Sequence, residues 1–444
     1  MGKAGICIPH VPQHQCLSSV QQMTDLHQPL QDQLSSLAEE LAKRGVPEDI
    51  YDNHSFLQSM ELPNPSSHYT ELLEEHVSQS VGGRNKTAAA ELKQHWQFFL
   101  LCLSGCALTH KWLVVSLTKN HYSSDRTLKK YGLKYSPTTH IVSYLKESGL
   151  VIAKKGAKYE GHPMRTRIYP TPDFAAQLVS FYLDTVESFD GDYLQFEKDE
   201  DREPVDDNNW AKAIKGLPKD HPDKVDINRI NDFLQAQQWA CKGPVRLKYK
   251  QTPFHGGRLY TRYQQLPDRH FKIRINTLIN GEPICEADFS ANHLRLAMAV
   301  LHQQDAGETP YEDLMELSGV NDRSLVKTFV TTAMGASSKQ GAQSSWNRRA
   351  LGAENFVAIE EAVGKRYPEL LLFDDWGFQA QNLEGAMLRE VMLNGIEKDI
   401  VVLPVHDAVA VQQKHESWAM DAMSEAWNKH VGFGRARLKV DRPL

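Results

Sequence analysis

The chain has 444 residues, 41% of them apolar, and a formal net charge of −6. That is length enough for two or three domains with real cores, and too little charge of either sign to identify a partner. Six scattered cysteines exclude a disulfide framework and point to a reducing, cytoplasmic setting. No apolar leader segment follows Met1, and the most apolar run, FFLLCLSGCAL at 98–108, is well short of the roughly 20 residues of a membrane span, so no membrane partner is expected.

Residues 1–85 read as an N-terminal arm and helical extension. Cys7, His10, His14 and Cys16 are zinc-capable, but Pro9 and Pro12 and the tight spacing leave little room to wrap a tetrahedron. Residues 1–22 therefore read as an irregular arm. Helical spacing over 23–45 stops at Gly45, and a second, polar helix is expected near HYTELLEEHVSQSV.

Residues 86–187 carry a more definite pattern. TAAAELKQHWQFFLLCLSGCAL reads as a buried helix, and HKWLVVSLTKNHYSSD as a second segment. SPTTHIVSYLKESGLV opens with Ser136 as a cap and Pro137 at the first helical position, and Gly149 ends it. Ile141, Tyr144, Leu145 and Leu150 form its apolar side, leaving Thr138, Thr139, His140 and Ser143 toward solvent. A short strand, a loop with two glycines and a second short strand follow. Helix, turn, helix and then β-hairpin is the order of a winged helix-turn-helix, a DNA-binding shape. Arg126, Lys129, Lys130 and Lys134 precede the candidate recognition helix, and Lys154, Lys155, Lys158, Arg165 and Arg167 lie on the candidate wing, where cations would meet phosphate. The plainer alternative is a small α/β module whose surface charges touch only water and protein.

Residues 188–208 hold nine acidic and two basic side chains and read as a linker. The remainder, 209–444, reads as a second domain whose pattern changes from about residue 240. Asn280-Gly281 is a hairpin signal, followed by an apolar strand ending in Asp288. FSANHLRLAMAVL then has helical spacing, with Leu294, Leu296, Ala297, Met298 and Leu301 facing a core. NDRSLVKTFVTTAMGAS is helical, with Arg323 and Lys327 on one face and no acid at the matching spacing, a pairing that suits a polyphosphate. VVLPVHDAVAV reads as strand, tight turn and strand with His406 and Asp407 at the bend. An aspartate within such an apolar run calls for a cation. Two acids at strand ends beside a basic helix suggest phosphoryl transfer with two divalent ions, Mg²⁺ or Mn²⁺.

Five segments in order resemble the family A polymerases, meaning bacterial DNA polymerase I and the single-subunit phage RNA polymerases. DFSANHLR at 288–295 is similar to the first acidic motif, RSLVKTFVTTAMG to the fingers helix, and PVHDAV to the His-Asp hairpin of the palm. GRLYTRYQQLP at 257–267 and QNLEGAMLREVML at 381–393 resemble two flanking motifs, the second a Gln-Gly-x-Ala helix. The resemblance does not reach residues 1 to about 240. For the C-terminal part it implies a palm-and-fingers domain with an antiparallel sheet and a reduced thumb, which with the N-terminal helical, winged-helix reading makes the expected chain α+β. It implies that Asp288 and Asp407 are the metal-binding catalytic pair, with the carbonyl of Phe289 as a further ligand. Arg323 and Lys327 would bind the incoming triphosphate, His406 would lie near the primer 3′ end, and Arg258 would contact the template-primer duplex.

The departures shape the expectation. His293 replaces the Glu that gates the sugar in the DNA polymerases, so dNTPs and rNTPs both stay open as substrates. Met334 stands before Gly335 where an aromatic residue is usual, and Ala408 follows the His-Asp pair where an acid is common. The Asp288–Asp407 interval is short, and no proofreading domain fits in the chain. The expected activity is template-directed nucleotidyl transfer by a DNA polymerase or primase-polymerase of a phage or mobile element, working with DNA, with a helicase or small helper protein as the candidate partner. A DNA-binding replication initiator with a catalytically silent palm and a single-subunit RNA polymerase are the rival readings.

Overall fold

The computed structural model of the chain describes residues 39, 43, 45–47, 54–56, 67–81, 86–130, 132–156, 158–159, 162–187, 192–197, 217–250, 252–267 and 272–443. Cys7, His10, His14, Cys16, most of the helix expected over 23–45 and most of the acidic stretch lie outside the described residues. The described chain is mixed α+β with mostly antiparallel sheets. It divides into two units. One is Met1–Ser188 with Gln238–Lys242 and Pro267–Glu282; the other is Phe189–Gln237, Gly243–Leu266 and Pro283–Leu444.

In the first unit, β1 (His54–Phe56) is followed by α1 (Ser67–Val81), α2 (Lys86–Thr109) and β2 (Trp112–Val115). Two short helices, α3 (His121–Ser124) and α4 (Arg126–Lys130), lead to α5 (Tyr135–Glu147). Then β3 (Val151–Lys154), a small hairpin of β4 (Lys158–Tyr159) and β5 (His162–Pro163), β6 (Thr166–Pro170) and α6 (Pro172–Leu183) follow. The sheet runs β1-β2-β6-β3, with β6 antiparallel to both neighbours. The segment after α2 is thus a strand and two short helices rather than one further element. Its four residues Trp112–Val115 are all buried, as an apolar run central to a sheet requires.

The core lies between α2 and α5. Trp96, Phe99, Leu100 and Leu103 of α2 pack with Ile141 and Leu145 of α5 and with Ile168, Phe174 and Leu178. Helix α1 joins it through Leu73, His76 and Val77, and the His76 ring stacks on Trp96 at 5.3 Å. Burial holds the His76 imidazole below its ordinary pKa, which suits a neutral ring in an apolar stack.

Several sequence expectations are corrected here. Helix α5 begins at Tyr135, with extended Lys134 before it and no side-chain cap, so Ser136 is not the cap. Pro137 is tolerated because the first N–H groups of a helix have no partner within it. Thr138 is buried, and the half-buried His140 ring contacts the Ser80 carbonyl of α1 at 2.7 Å, whereas Ser143 presents to solvent. The pieces Gln238–Lys242 and Pro267–Glu282, grouped by sequence with the C-terminal part, belong to the first unit. Cys241 N–H donates to the Leu183 carbonyl at 2.7 Å, and Glu187 N–H to that of Lys242 at 2.7 Å.

In the second unit, β7 (Leu194–Glu197) runs parallel to β8 (Arg246–Lys250), which pairs antiparallel with β9 (Thr252–Tyr260). Residues 194–197, within the expected linker, thus form a strand, with Leu194 buried. Helix α7 (Pro222–Gln235) precedes β8. The main sheet is built on β10 (Glu282–Phe289), with β11 (Leu403–Val405), β12 (Ala408–Gln412) and β13 (Leu438–Asp441); β10 is flanked by β12 and β13, and β11 lies beyond β12. The helices are α8 (Asn292–His302), α9 (Pro310–Ser318), α10 (Arg323–Gly335), α11 (Lys339–Arg348), α12 (Ala353–Arg366), α13 (Gly377–Ile396) and α14 (Glu416–His430). Leu294, Leu296, Ala297 and Met298 of α8 are buried as their spacing predicts, but Leu301, a turn further on, is 40% exposed. Helix α10 opens on Asp322, whose carboxylate accepts from the N–H groups of Ser324 and Leu325. Its Phe329 packs on Phe356 of α12 with centroids 4.8 Å apart.

Candidate active site

Register brings the two predicted acids together. Asp288 in β10 is paired with Ala408 in β12, one residue after Asp407, and Phe289 N–H donates to the Asp407 carbonyl at 3.3 Å. Opposed residues on antiparallel strands lie roughly 4.5–5.5 Å apart, so the two acids share one end of the sheet. The bend is a two-residue turn closed by the Val405–Ala408 pair, and His406 takes φ +56°, the left-handed conformation that such turns need. His406 is exposed at that bend. Phe289 is buried, its ring 5.9 Å from that of Trp427 in α14.

The electrostatics show how close the pair is. Burial, and then the charge of Asp407, push the Asp288 carboxyl up to about 6. Asp407 is raised by burial and by the charge of Glu384, and pulled back by Lys327, His293 and Arg258. Asp288 is thus raised by burial and the anion beside it, and Asp407 by burial and the Glu384 charge, as anions in a low-dielectric site are. Lys327, exposed on α10, acts on both carboxylates.

Arg323 is placed differently from the sequence expectation. Its Nε is 2.6 Å from Glu312 Oε1 and its guanidinium lies over the Tyr311 ring at 5.1 Å, both on α9. The acid absent from its own helix is supplied by a neighbouring one. Arg258 is also engaged internally. Gly257, at φ +76°, and Gly385 touch backbone to backbone; a Cβ on Gly385 would sit 1.9 Å from the Gly257 carbonyl oxygen. Only glycines allow this approach. The contact sets the following residue, Arg258, against the preceding one, Glu384, with Nε 2.6 Å from Oε1.

Glu384 is fully buried and serves three partners. Besides Arg258 it accepts from Asn292 Nδ2 at 3.1 Å, and its Oε2 is 3.3 Å from His293 Nε2. Burial alone would raise its pKa, but the Arg258 charge and the His293 contact outweigh that and leave it below the usual range. Arg258 is held above its ordinary value because the same carboxylate overcomes the cost of burial. His293, at the predicted sugar-gate position, is thus fixed by a buried ion pair.

Two residues of this site escaped the sequence reading. Glu384 stands where the resembled motif has Gln, and on spacing alone it is one more polar residue of a helix. Lys439 on β13 lies opposite Asp288, with Nζ 2.9 Å from Oδ2. The Leu438/Val440 alternation around it was its one available signal.

The donor set fits a hard divalent cation. Asp288 Oδ1 is buried without a hydrogen-bond partner, next to a second carboxylate. Among the described residues no group of three or more His, Cys, Asp or Glu side chains could hold a metal. Two carboxylates are nonetheless a Mg²⁺-type set, since that ion keeps waters and takes substrate phosphate oxygens for its remaining positions.

In the first unit, Lys129, Lys154 and Lys155 are exposed, and Lys134 pairs with Glu91 at 2.7 Å. Arg165 is half-buried and pairs with Asp125 at 3.2 Å. Arg167 is only 6% exposed, and its Nη1 donates to the Arg165 carbonyl, so it is removed from the candidate phosphate contacts. The side chains of Lys130 and Lys158 lie outside the described residues. No described helix is long and apolar enough to cross a membrane. No family model matches the chain, and no curated protein matches it.

Proposed function

We propose that this chain is a DNA-directed nucleotidyltransferase of the family A polymerase kind, with a palm built on β10, β12 and β13, fingers carried by α9–α12, and a winged-helix DNA-binding module in the first unit. The observation that carries the reading is the register that pairs Asp288 with Ala408 and so sets Asp288 beside Asp407 at one end of the sheet, with Lys327 acting on both carboxylates. Asp288 and Asp407 would hold Mg²⁺ or Mn²⁺ ions, which when bound supply Lewis-acid stabilisation of attacking and leaving phosphate oxygens. Lys327 neutralises the incoming triphosphate as negative charge builds on it. Glu384 and Arg258 hold His293 still, so that it bounds the sugar pocket in one orientation. His406, exposed at the hairpin bend, faces the primer end. In the first unit, the succession of α2, β2, the short helices, α5 and the β3–β6 hairpin supports the winged-helix reading, with Lys129, Lys154 and Lys155 toward phosphate.

The test is incorporation of labelled dNTPs or rNTPs with Mg²⁺ or Mn²⁺ on a template, with and without primer. Extension by the wild type, lost in Asp407→Asn with DNA binding unchanged, supports the proposal; preference for rNTPs would make it an RNA polymerase. The rival of a silent palm has two observations in its favour: Arg323 is already paired with Glu312, and Asp288 with Lys439. Absence of incorporation under every condition would establish that rival.

A further inference from the structure

β13 runs antiparallel to β10 with Lys439 directly opposite Asp288. The Lys439 ammonium lies 2.9 Å from Asp288 Oδ2, while Oδ1 of the same carboxylate is buried with no hydrogen-bond partner. The two oxygens are therefore unequal: one carries a cation of the chain's own, the other carries none. The Lys439 side chain is 57% exposed, on a flexible stem whose head group is readily hydrated, so it can leave Oδ2 for water at small cost. It also lies within range of the Asp407 charge. Two anions facing two divalent ions and an ammonium would be over-neutralised, and the ammonium is the one that can withdraw.

We propose that Lys439 is a built-in counter-ion that stands in for one of the two divalent ions. The carboxylate pair then accepts a first ion through Asp288 Oδ1 and Asp407, and a second only when Lys439 gives up Oδ2. This rests on the proposed function and deepens it: Lys439 sets the divalent-ion concentration at which the site fills.

The test is titration of the full chain with Mn²⁺, without nucleotide or DNA, counting unbound Mn²⁺ by its paramagnetic resonance signal. Wild type should take one ion and a second much more weakly. Lys439→Gln should tighten the second by about tenfold, the scale on which groups around metal ligands act. Lys439→Arg, which keeps the charge and grips a carboxylate more firmly, should leave the second ion at least as weak as in wild type, and Lys429→Gln, which removes a charge paired with Glu390 elsewhere in the unit, should behave as wild type. Two equal ions in the wild type, a Lys439→Gln protein that titrates like wild type, or an equal gain in Lys429→Gln would overturn the inference. If Asp288→Asn or Asp407→Asn still abolishes Mn²⁺ binding in those cases, the carboxylate-pair reading stands without it. If wild type binds no Mn²⁺, both fall together.

Discussion

Glu384 holds Arg258 in an ion pair from which water is excluded on the carboxylate side: the acid is fully buried, the guanidinium largely so, with 2.6 Å between them. Removing one partner of such a pair strands the other. Glu384→Ala should therefore cost about 3–5 kcal/mol in denaturant unfolding, and Glu384→Ala with Arg258→Met together should cost less than the sum. Glu384→Gln, the residue of the resembled motif, keeps hydrogen-bonding atoms and should cost less than Glu384→Ala. A fully additive cycle would contradict the pairing.

Gly385 is predicted to be as intolerant as the ion pair it sets up. Gly385→Ala drives a methyl group into the Gly257 carbonyl. The strand and helix must separate, costing about 3 kcal/mol or more. A melting temperature equal to that of wild type would show that the close approach is not kept in solution.

Asp288 gives a pH dependence with a definite sign. Its folded pKa, about 6, lies above the ordinary value of 3.8, so the folded chain holds a proton that the unfolded chain has lost. Stability from this group is thus complete below about pH 4 and is lost as pH rises through about 6. Without divalent ions, Asp288→Asn should be more stable than wild type at pH 7, by on the order of 1 kcal/mol, and the gain should vanish near pH 4. Melting curves at the two pH values test it; a gain that grows on acidification would reverse the assignment.

Lys327 should matter to chemistry more than to folding. It is exposed, so Lys327→Ala should leave the melting temperature nearly unchanged while single-turnover incorporation falls by about 10²–10³-fold, the effect of losing one transition-state donor. Arg323→Ala should do less, since Glu312 already holds that guanidinium. A larger loss from Arg323→Ala than from Lys327→Ala would reverse the two roles.

For the first unit, Lys154→Gln and Lys155→Gln should each weaken DNA binding across sequences and lower the salt slope by about 1. Arg167→Met should instead lower stability and leave the slope alone, because its guanidinium is packed against the Arg165 carbonyl. Fluorescence anisotropy on duplex DNA over a salt series separates these outcomes.

The elements with strong periodicity were legible in the sequence. The α2 run, the apolar side of α5 and the strand–turn–strand around Asp407 all follow from spacing alone. What spacing could not carry was the partner each charge finds. Arg323 looked unopposed because its acid sits on α9, Arg258 and Arg167 looked like phosphate contacts because nothing local marks them as buried, and Lys439 was invisible because its meaning comes from strand register. Thr138 and His140 show the same limit. A solvent face on one helix is decided by what packs there: α1 meets His140 through the Ser80 carbonyl, and the Tyr122 hydroxyl meets Thr138.

The most direct measurement is the anomalous scattering of Mn²⁺ in crystals of the full chain. The account predicts a Mn²⁺ peak bound by both Asp288 and Asp407. No peak there, or a peak held by only one of them with Lys439 still on Asp288, would contradict it.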